Sequence, residues 1–269
     1  MTTSFQQLVD AHANVRDRLD RQAVAAIRAA LSGFTGWYSD DKVRDMAAQV
    51  VAQIEATQRQ TANVTNAYLT RVARQVVGKS VPAVPLVIPG DLRQGTDHVQ
   101  VYERLGSQYR YEASQGASPS EALALVLARG VAMGQMDNLL AFRGQTTKFM
   151  ESSDRISGYR RVIRPEMSRS GVCGLCVVAA DRVYHSNELL PIHEHCHCNV
   201  LPIAGSKDPG LSLNEDEFSA LYGAAGSTAG DDLKKVTVAI RHHGELGPVL
   251  RPADQHFRGP TEVAEAIAA

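Results

Sequence analysis

Apolar positions recur at three- and four-residue steps through most of residues 1–155, the spacing that places side chains on one face of an α-helix. Residues 5–31 carry one such stripe, which stops at the Gly33–Gly36 break. A second stripe begins near Asp40, whose carboxylate suits a helix N-terminus, and continues to Gly78. Two long amphipathic helices are therefore predicted in the first part of the chain.

Three prolines interrupt this spacing and exclude helix from residues 80–96, which are predicted to form an extended connector. They are Pro82, Pro85 and Pro89. A third helix is expected over residues 97–115. The string Ser118-Pro119-Ser120-Glu121 then supplies an N-cap serine, a proline at the first helical position and a glutamate at the third. This capping box predicts a fourth helix that runs to about residue 153.

Beyond Gly158 the pattern changes to short β-branched runs bounded by proline. Residues 159–164 and 198–203 each predict a strand. A short helix is expected from Ser212, because Glu215 would complete another capping box. After residue 222, glycine, alanine, serine and threonine dominate, which indicates a loosely structured tail.

Composition and charge narrow the classes of function. The hydrophobic fraction of 44% is ordinary for a globular protein, and the net charge of -1 gives no overall attraction to nucleic acid or to an anionic membrane. The start of the chain lacks the regions of a secretory signal, and no apolar run is long enough to span a bilayer. We therefore expect a reducing cytosol, where clustered cysteines are more often metal ligands or catalytic thiols than disulfides.

The four cysteines lie in the segment that follows the first predicted strand and ends at Cys198 (165–198), here called the cysteine window, and they have the spacing C-x2-C-x16-H-x2-C-x-C. Thiolates and imidazoles delivered as two close pairs are the ligands that tetrahedral Zn²⁺ prefers. Cys173 and Cys176 form the first pair, and His193, Cys196 and Cys198 compete for the two remaining positions. Because little apolar material lies between the flanking strands, we expect a structural zinc ion to hold this module together.

Two other chemistries fit parts of the window. Cys173-Gly-Leu-Cys176 resembles the dithiol motif of thioredoxin-like proteins, but no βαβ unit is predicted around it and the second cysteine pair would be unexplained. The string His193–His197 is a literal H-E-x-x-H, the zincin protease signature, which requires a helix. Pro191 and Pro202 bracket it, and the neighbouring cysteines would close the open coordination position that catalysis needs.

A local basic cluster precedes the first cysteine. It consists of Arg160, Arg161, Arg164 and Arg169. The interpretation that we favour is a solvated strand face. The alternative is a contact with DNA or with an acidic protein surface.

Written out between its two strands, the window resembles the C-terminal module of the Mu F-type phage minor head proteins. That family carries a C-x2-C pair, a spacer and then H-P-x-C-R-C ahead of a short strand. The matching positions are Cys173, Cys176, His193, Cys196 and Cys198. Glu194 stands where proline is usual and His197 where arginine is usual, so no role of that arginine carries over.

The resemblance implies a structural protein of tailed-phage morphogenesis. It would associate with portal, major capsid or scaffold protein in the host cytoplasm and then reside inside the virion head. Related actinophage proteins are often labelled capsid maturation proteases, which supplies the alternative of an enzyme that processes scaffold or capsid protein. The expected fold is a mainly α N-terminal domain of long amphipathic helices (1–157), a small zinc-stabilised α+β module (158–205) and a weakly structured C-terminal tail (206–269).

Overall fold

Four long helices dominate the structure, a computed structural model that describes residues 3–164, 179–185, 198–215, 238–243 and 247–252. The helices are α1 (Phe5–Ser32), α2 (Asp40–Val77), α3 (His98–Ser114) and α4 (Pro119–Glu151). Each lies within a few residues of the range that its apolar spacing predicts, so the mainly helical fold is confirmed. Within the described ranges, no helix has the length and apolarity needed to cross a bilayer.

The helix ends follow the local signals in the sequence. Helix α2 stops before Gly78, which has a φ of 75° that side-chain-bearing residues rarely adopt. Helix α3 is capped by Asp97, whose carboxylate accepts from the backbone N–H of Gln100 at 2.9 Å. At the start of α4, the backbone N–H of Ser118 donates to the Glu121 carboxylate at 2.8 Å, and the Glu121 N–H faces the Ser118 hydroxyl at 3.4 Å. The predicted capping box is therefore confirmed.

A three-stranded antiparallel sheet follows the helices. Its strands are β1 (Gly158–Val162), β2 (Val183–Tyr184) and β3 (Asn199–Ile203), in the order β2-β1-β3. Strands β1 and β3 were predicted from the sequence. Strand β2 was not, because two residues are too short to carry a periodic signal.

Two features differ from the sequence-based expectation. The short helix α5 spans Pro209–Leu213 and is capped by Asp208, four residues before the predicted cap at Ser212, while the predicted helix beyond Glu215 lies outside the described residues. Asp208 is the cap because proline follows it at the first helical position and because its carboxylate accepts from the N–H of Leu211 at 3.2 Å. Further along, the backbones of β4 (Val238–His243) and β5 (Gly247–Pro252) pair as an antiparallel hairpin where no regular element was expected.

The chain forms two compact units that do not follow its order in sequence. Of the described residues, the first unit comprises 3–15, 62–86, 143–164, 179–185, 198–215, 238–243 and 247–252, and the second comprises 16–61 and 87–142. Helices α1, α2 and α4 contribute residues to both. The predicted boundaries at residues 157 and 205 stay a prediction.

The second unit has an apolar core formed by residues from all four long helices, among them Ile27, Ile54, Leu105 and Val126. Glycines allow close helix approach in it. A Cβ added at Gly106 would meet the Val43 side chain at 2.7 Å, so this position accepts glycine alone without a shift of α2. The contact between α2 and α3 at this point therefore depends on a residue without a side chain.

Candidate metal-binding region and the stem that supports it

Of the five predicted zinc ligands, the structure describes one. Cys173, Cys176, His193 and Cys196 lie outside the described residues, as does Glu194 of the H-E-x-x-H string. Cys198 immediately precedes β3 and is buried, with 4% of its surface exposed. Among the described residues, no group of three or more histidine, cysteine, aspartate or glutamate side chains is placed to hold a metal ion. The zinc site itself therefore stays a prediction.

The two ends of the window are next to each other on the sheet. The last residue of β1, Val162, pairs with the first residue of β3, Asn199, and this is the final pair of their ladder. The chain leaves the sheet through Ile163 and Arg164, rejoins it at β2, and enters it again through Cys198. We call residues 162–164 and 198–199 the window stem. It brings the start and the finish of the cysteine window into register before any metal is considered.

Asn214 continues the order of the stem past the end of β1. Its side-chain amide donates to the Arg161 carbonyl at 2.7 Å and accepts from the Ile163 N–H at 3.0 Å. One amide therefore takes the place of a neighbouring strand at the point where the ladder stops. Asn214 is fully buried, so these hydrogen bonds are shielded from competition with water.

Tyr184 of β2 lies at the centre of a buried cluster on this sheet. Its ring stacks on that of Tyr159 with centroids 5.0 Å apart, and the Arg161 guanidinium lies 5.1 Å from its centroid. Its hydroxyl donates to the Ala179 carbonyl at 2.7 Å. Burial raises the pKa of Tyr184, Arg161 opposes that shift, and Cys198 adds to it. The Cys198 thiol therefore lies within electrostatic reach of this cluster.

The arginines of β1 point inward, and the expectation of a solvated strand face is wrong. Arg160, Arg161 and Arg164 are all buried. Arg160 donates from Nε to Asp208 at 2.7 Å and from Nη1 to the Ala180 and Asp181 carbonyls at 3.1 and 2.7 Å. The physical reason is that β1 is the central strand and both of its faces are covered.

The suggested DNA contact of this cluster stays a prediction. Arg160 and Arg164 would have to leave Asp208 and Asp10, respectively, to reach a phosphate. Arg169 lies outside the described residues. Arg160 and Arg164 have a structural role in this fold, because buried guanidinium groups require such partners.

A hydrogen-bonded network around His12 joins α1, α2 and β3. The Nδ1 atom of His12 lies 3.0 Å from Oδ1 of Asn199, and Nε2 lies 3.2 Å from the hydroxyl of Thr65. The imidazole stacks on Tyr68 at 4.2 Å between centroids, and the Tyr68 hydroxyl donates to the Val200 carbonyl at 2.9 Å. No pattern in the sequence predicts this network, since its members are distant in the chain and form no motif.

The Thr65 hydroxyl, the His12 imidazole and the Asn199 amide stand in the order found in catalytic triads. Their burial nevertheless indicates a structural role. Thr65 and Asn199 are fully buried and His12 is 4% exposed. A nucleophile must reach its substrate, and this hydroxyl is fully buried. The network therefore fixes the packing of α1 and α2 against β3.

A second polar centre lies in the other unit, around Asp137 of α4. Its carboxylate accepts from Nε of Arg93 at 2.7 Å and from the Tyr102 hydroxyl at 2.7 Å. Gln58 donates to its backbone carbonyl at 3.0 Å. Asp137 is fully buried. The pKa of Tyr102 is raised well above its ordinary value, first by burial of the tyrosine and then by the negative charge of Asp137. This cluster attaches the connector to α3 and α4. The one sign of the cluster in the sequence was an acidic residue among the apolar positions of α4.

Comparison of the chain with protein-family models, with curated proteins and with solved structures gives no match.

Proposed function

We propose that this protein is a structural minor head protein of a tailed phage, which associates with portal, major capsid or scaffold protein during head assembly. The observation that carries the proposal is the C-x2-C-x16-H-x2-C-x-C spacing, set between two short strands. The same order of ligands and strands occurs in the Mu F-type minor head proteins that the window resembles. On this proposal the protein acts in the host cytoplasm and then remains inside the virion head.

The window is proposed to carry one structural zinc ion. Two ligands would come from Cys173 and Cys176, and two from His193, Cys196 and Cys198. Two features support a closed structural site. Cys198 is buried and immediately precedes a strand, so its thiol has a rigid attachment. The stem pairs the ends of the window at Val162 and Asn199, which lowers the entropic cost of closing a ligand loop.

Zinc would supply a crosslink between the two cysteine pairs, and the protein would supply the scaffold around it. The sheet, the Tyr184 cluster and the buried arginines would hold that scaffold rigid. The long helices would offer interaction surface for capsid or portal components, and Arg169 would be the remaining candidate for a DNA contact. Such a division of roles suits an assembly protein, whose work is to hold partners in place.

Metal analysis tests the zinc site. Purified under reducing conditions, the protein should contain about one zinc per chain, because one closed tetrahedral site takes one ion. Cys176→Ser should lose most of that zinc, since Cys176 belongs to the pair that has no competitor for its position. His185→Asn is the matched control, because His185 lies inside the window but belongs to neither ligand pair. A zinc content unchanged by Cys176→Ser would contradict the proposed ligands.

Partner capture tests the assembly role. The tagged full chain, expressed with the structural proteins of its phage, should co-purify with portal, capsid or scaffold protein. Cys176→Ser should weaken this association if the window forms the docking surface, whereas His185→Asn should not. Failure of the wild-type chain to co-purify with any head component would contradict the structural role.

The alternative is a capsid maturation protease, which the literal H-E-x-x-H string favours. In a zincin the glutamate activates water, so Glu194→Gln should abolish cleavage of scaffold or capsid protein. On the structural proposal the same substitution leaves processing and assembly unchanged. A loss of processing with this single change would replace the proposal by the alternative.

A further inference from the structure

One turn of α1 contacts both sides of the window stem. Asp10 forms an ion pair with Arg164 on the outgoing side, with a carboxylate oxygen 2.9 Å from Nη1. On the returning side, Asn199 donates from Nδ2 to the Val9 carbonyl at 2.9 Å and lies 3.0 Å from Nδ1 of His12. Residues 9, 10 and 12 are neighbours on a single helical turn. A short, rigid piece of helix therefore spans the two ends of the window.

These contacts lie at the end of the strand ladder, where a sheet would otherwise fray. The β1–β3 pairing stops at Val162 and Asn199, so Arg164 and Cys198 are beyond its last pair. Residues outside a ladder open locally at low free-energy cost unless other contacts hold them. Asp10 holds Arg164 directly, and the His12–Asn199 contact holds the residue that follows Cys198.

We propose that residues 5–15 of α1 are a clamp on the cysteine window, so that docking of this helical segment and protection of the Cys198 thiol form one cooperative unit. The clamp has a firm base of its own. His12 is fixed from the other side by Thr65 and by the stacked ring of Tyr68, and Val9 is fully buried. Release of the segment would remove the Asp10–Arg164 and His12–Asn199 contacts with the stem at once.

Thiol reactivity of the metal-free protein tests the clamp. Alkylation of each cysteine by iodoacetamide is followed by peptide mass spectrometry, which reports Cys198 separately. The double variant Asp10→Asn/His12→Phe keeps an aromatic ring beside Tyr68 but removes the hydrogen bonds of the imidazole and the carboxylate charge. We expect Cys198 to react about tenfold faster in this variant, from the loss of two to three polar contacts.

The matched control is Asp17→Asn, which makes the same charge change on α1 at a residue whose ion-pair partner is Arg21 on the same helix. It should leave the Cys198 rate unchanged. Equal Cys198 rates in the wild type and the double variant, with both proteins folded by circular dichroism, would overturn the clamp.

A milder variant covers the case in which the double variant unfolds. Asp10→Asn alone weakens a contact whose carboxylate is 42% exposed, so the fold should survive. We expect about a threefold increase in Cys198 reactivity, since one partly exposed ion pair is weakened. Hydrogen exchange of residues 5–15 should accelerate in parallel. Faster exchange of this segment with no change at Cys198 would also overturn the cooperative unit.

Zinc provides a second measurement, and it rests on the proposed metal site. By linkage, zinc should slow hydrogen exchange of residues 5–15 in the wild type, and the double variant should bind zinc more weakly by the corresponding factor. A wild-type protein that binds no zinc would contradict the proposed function while leaving the metal-free test to decide the clamp. Tight zinc binding with no difference between wild type and double variant would contradict the clamp alone.

Discussion

The imidazole of His12 and the side-chain amide of Asn199, 187 positions apart in the chain, face each other at 3.0 Å. Because the amide nitrogen of Asn199 donates to the Val9 carbonyl, its oxygen faces His12 and accepts. The Nδ1 atom of His12 therefore carries a proton and donates to this oxygen, and Nε2 faces the Thr65 hydroxyl. One imidazole thus connects α1, α2 and β3.

Asn199→Ala should be strongly destabilising. It leaves the Val9 carbonyl and the His12 Nδ1–H without their buried partner, and each such loss costs about 1–3 kcal/mol. We expect the free energy of unfolding to fall by about 2–4 kcal/mol, measured by urea denaturation. The control is Asn14→Ala on the exposed face of α1, which should change stability by less than about 0.5 kcal/mol. A loss at Asn199 no larger than that of the control would contradict the role assigned to the amide.

Asp137→Ala should cost more than Tyr102→Phe. Removal of the carboxylate leaves the buried Arg93 guanidinium without its partner, a change of about 3–5 kcal/mol. The tyrosine change removes one hydrogen bond to a charged group, about 1.5–3 kcal/mol. Thermal and urea unfolding of both variants measure the order, with exposed Asp45→Asn as control. The reverse order would show that the ion pair does not dominate this cluster.

Asp20 gives a prediction for the dependence of stability on pH. Burial raises its pKa, although Arg16 and the hydrogen bond from Asn138 oppose the shift. The folded state therefore binds this proton more tightly than the unfolded state, and its contribution to stability is lost as the pH rises through the folded pKa. Asp20→Asn keeps an acceptor for Asn138 and should be more stable than wild type at pH 7.

The two proteins should converge in stability toward pH 4, near the ordinary aspartate value of about 3.9. Urea denaturation at several pH values measures the difference, and Asp45→Asn should show no such convergence. A constant offset between Asp20→Asn and the wild type across this range would contradict the raised pKa.

The capping box of α4 gives a local prediction. Hydrogen bonds from the hydroxyl and the backbone N–H of Ser118 lower the pKa of Glu121. Ser118→Ala removes the hydroxyl donor and should destabilise the protein by about 1 kcal/mol. It should also move the Glu121 pKa upward toward its ordinary value, measured by NMR titration. Ser107→Ala, at an exposed position of α3, should change neither quantity.

Local signals account for how much of the fold was predictable. Helix α4 begins at Pro119 because Ser118 and Glu121 cap it within four residues of chain, and α2 ends before Gly78 for an equally local reason. Strand β2 depends on pairing with β1, which is distant in sequence. The Asp208 cap competes with a nearby alternative cap at Ser212. Arg160 illustrates the limit, because a charged residue in a strand is normally exposed, and its burial depends on Asp208, 48 positions later.

The amino-acid sequence by itself determined the four long helices, the two principal strands of the sheet and the cysteine spacing from which a zinc site is proposed. These follow from periodicity, capping and ligand chemistry over short stretches of chain. The tertiary structure alone decided that the β1 arginines are buried, that Val162 and Asn199 align the ends of the window, and that α1 contacts both. The reason is physical: these features depend on contacts between residues far apart in the chain, and no local pattern encodes which distant partner will satisfy a buried charge or amide.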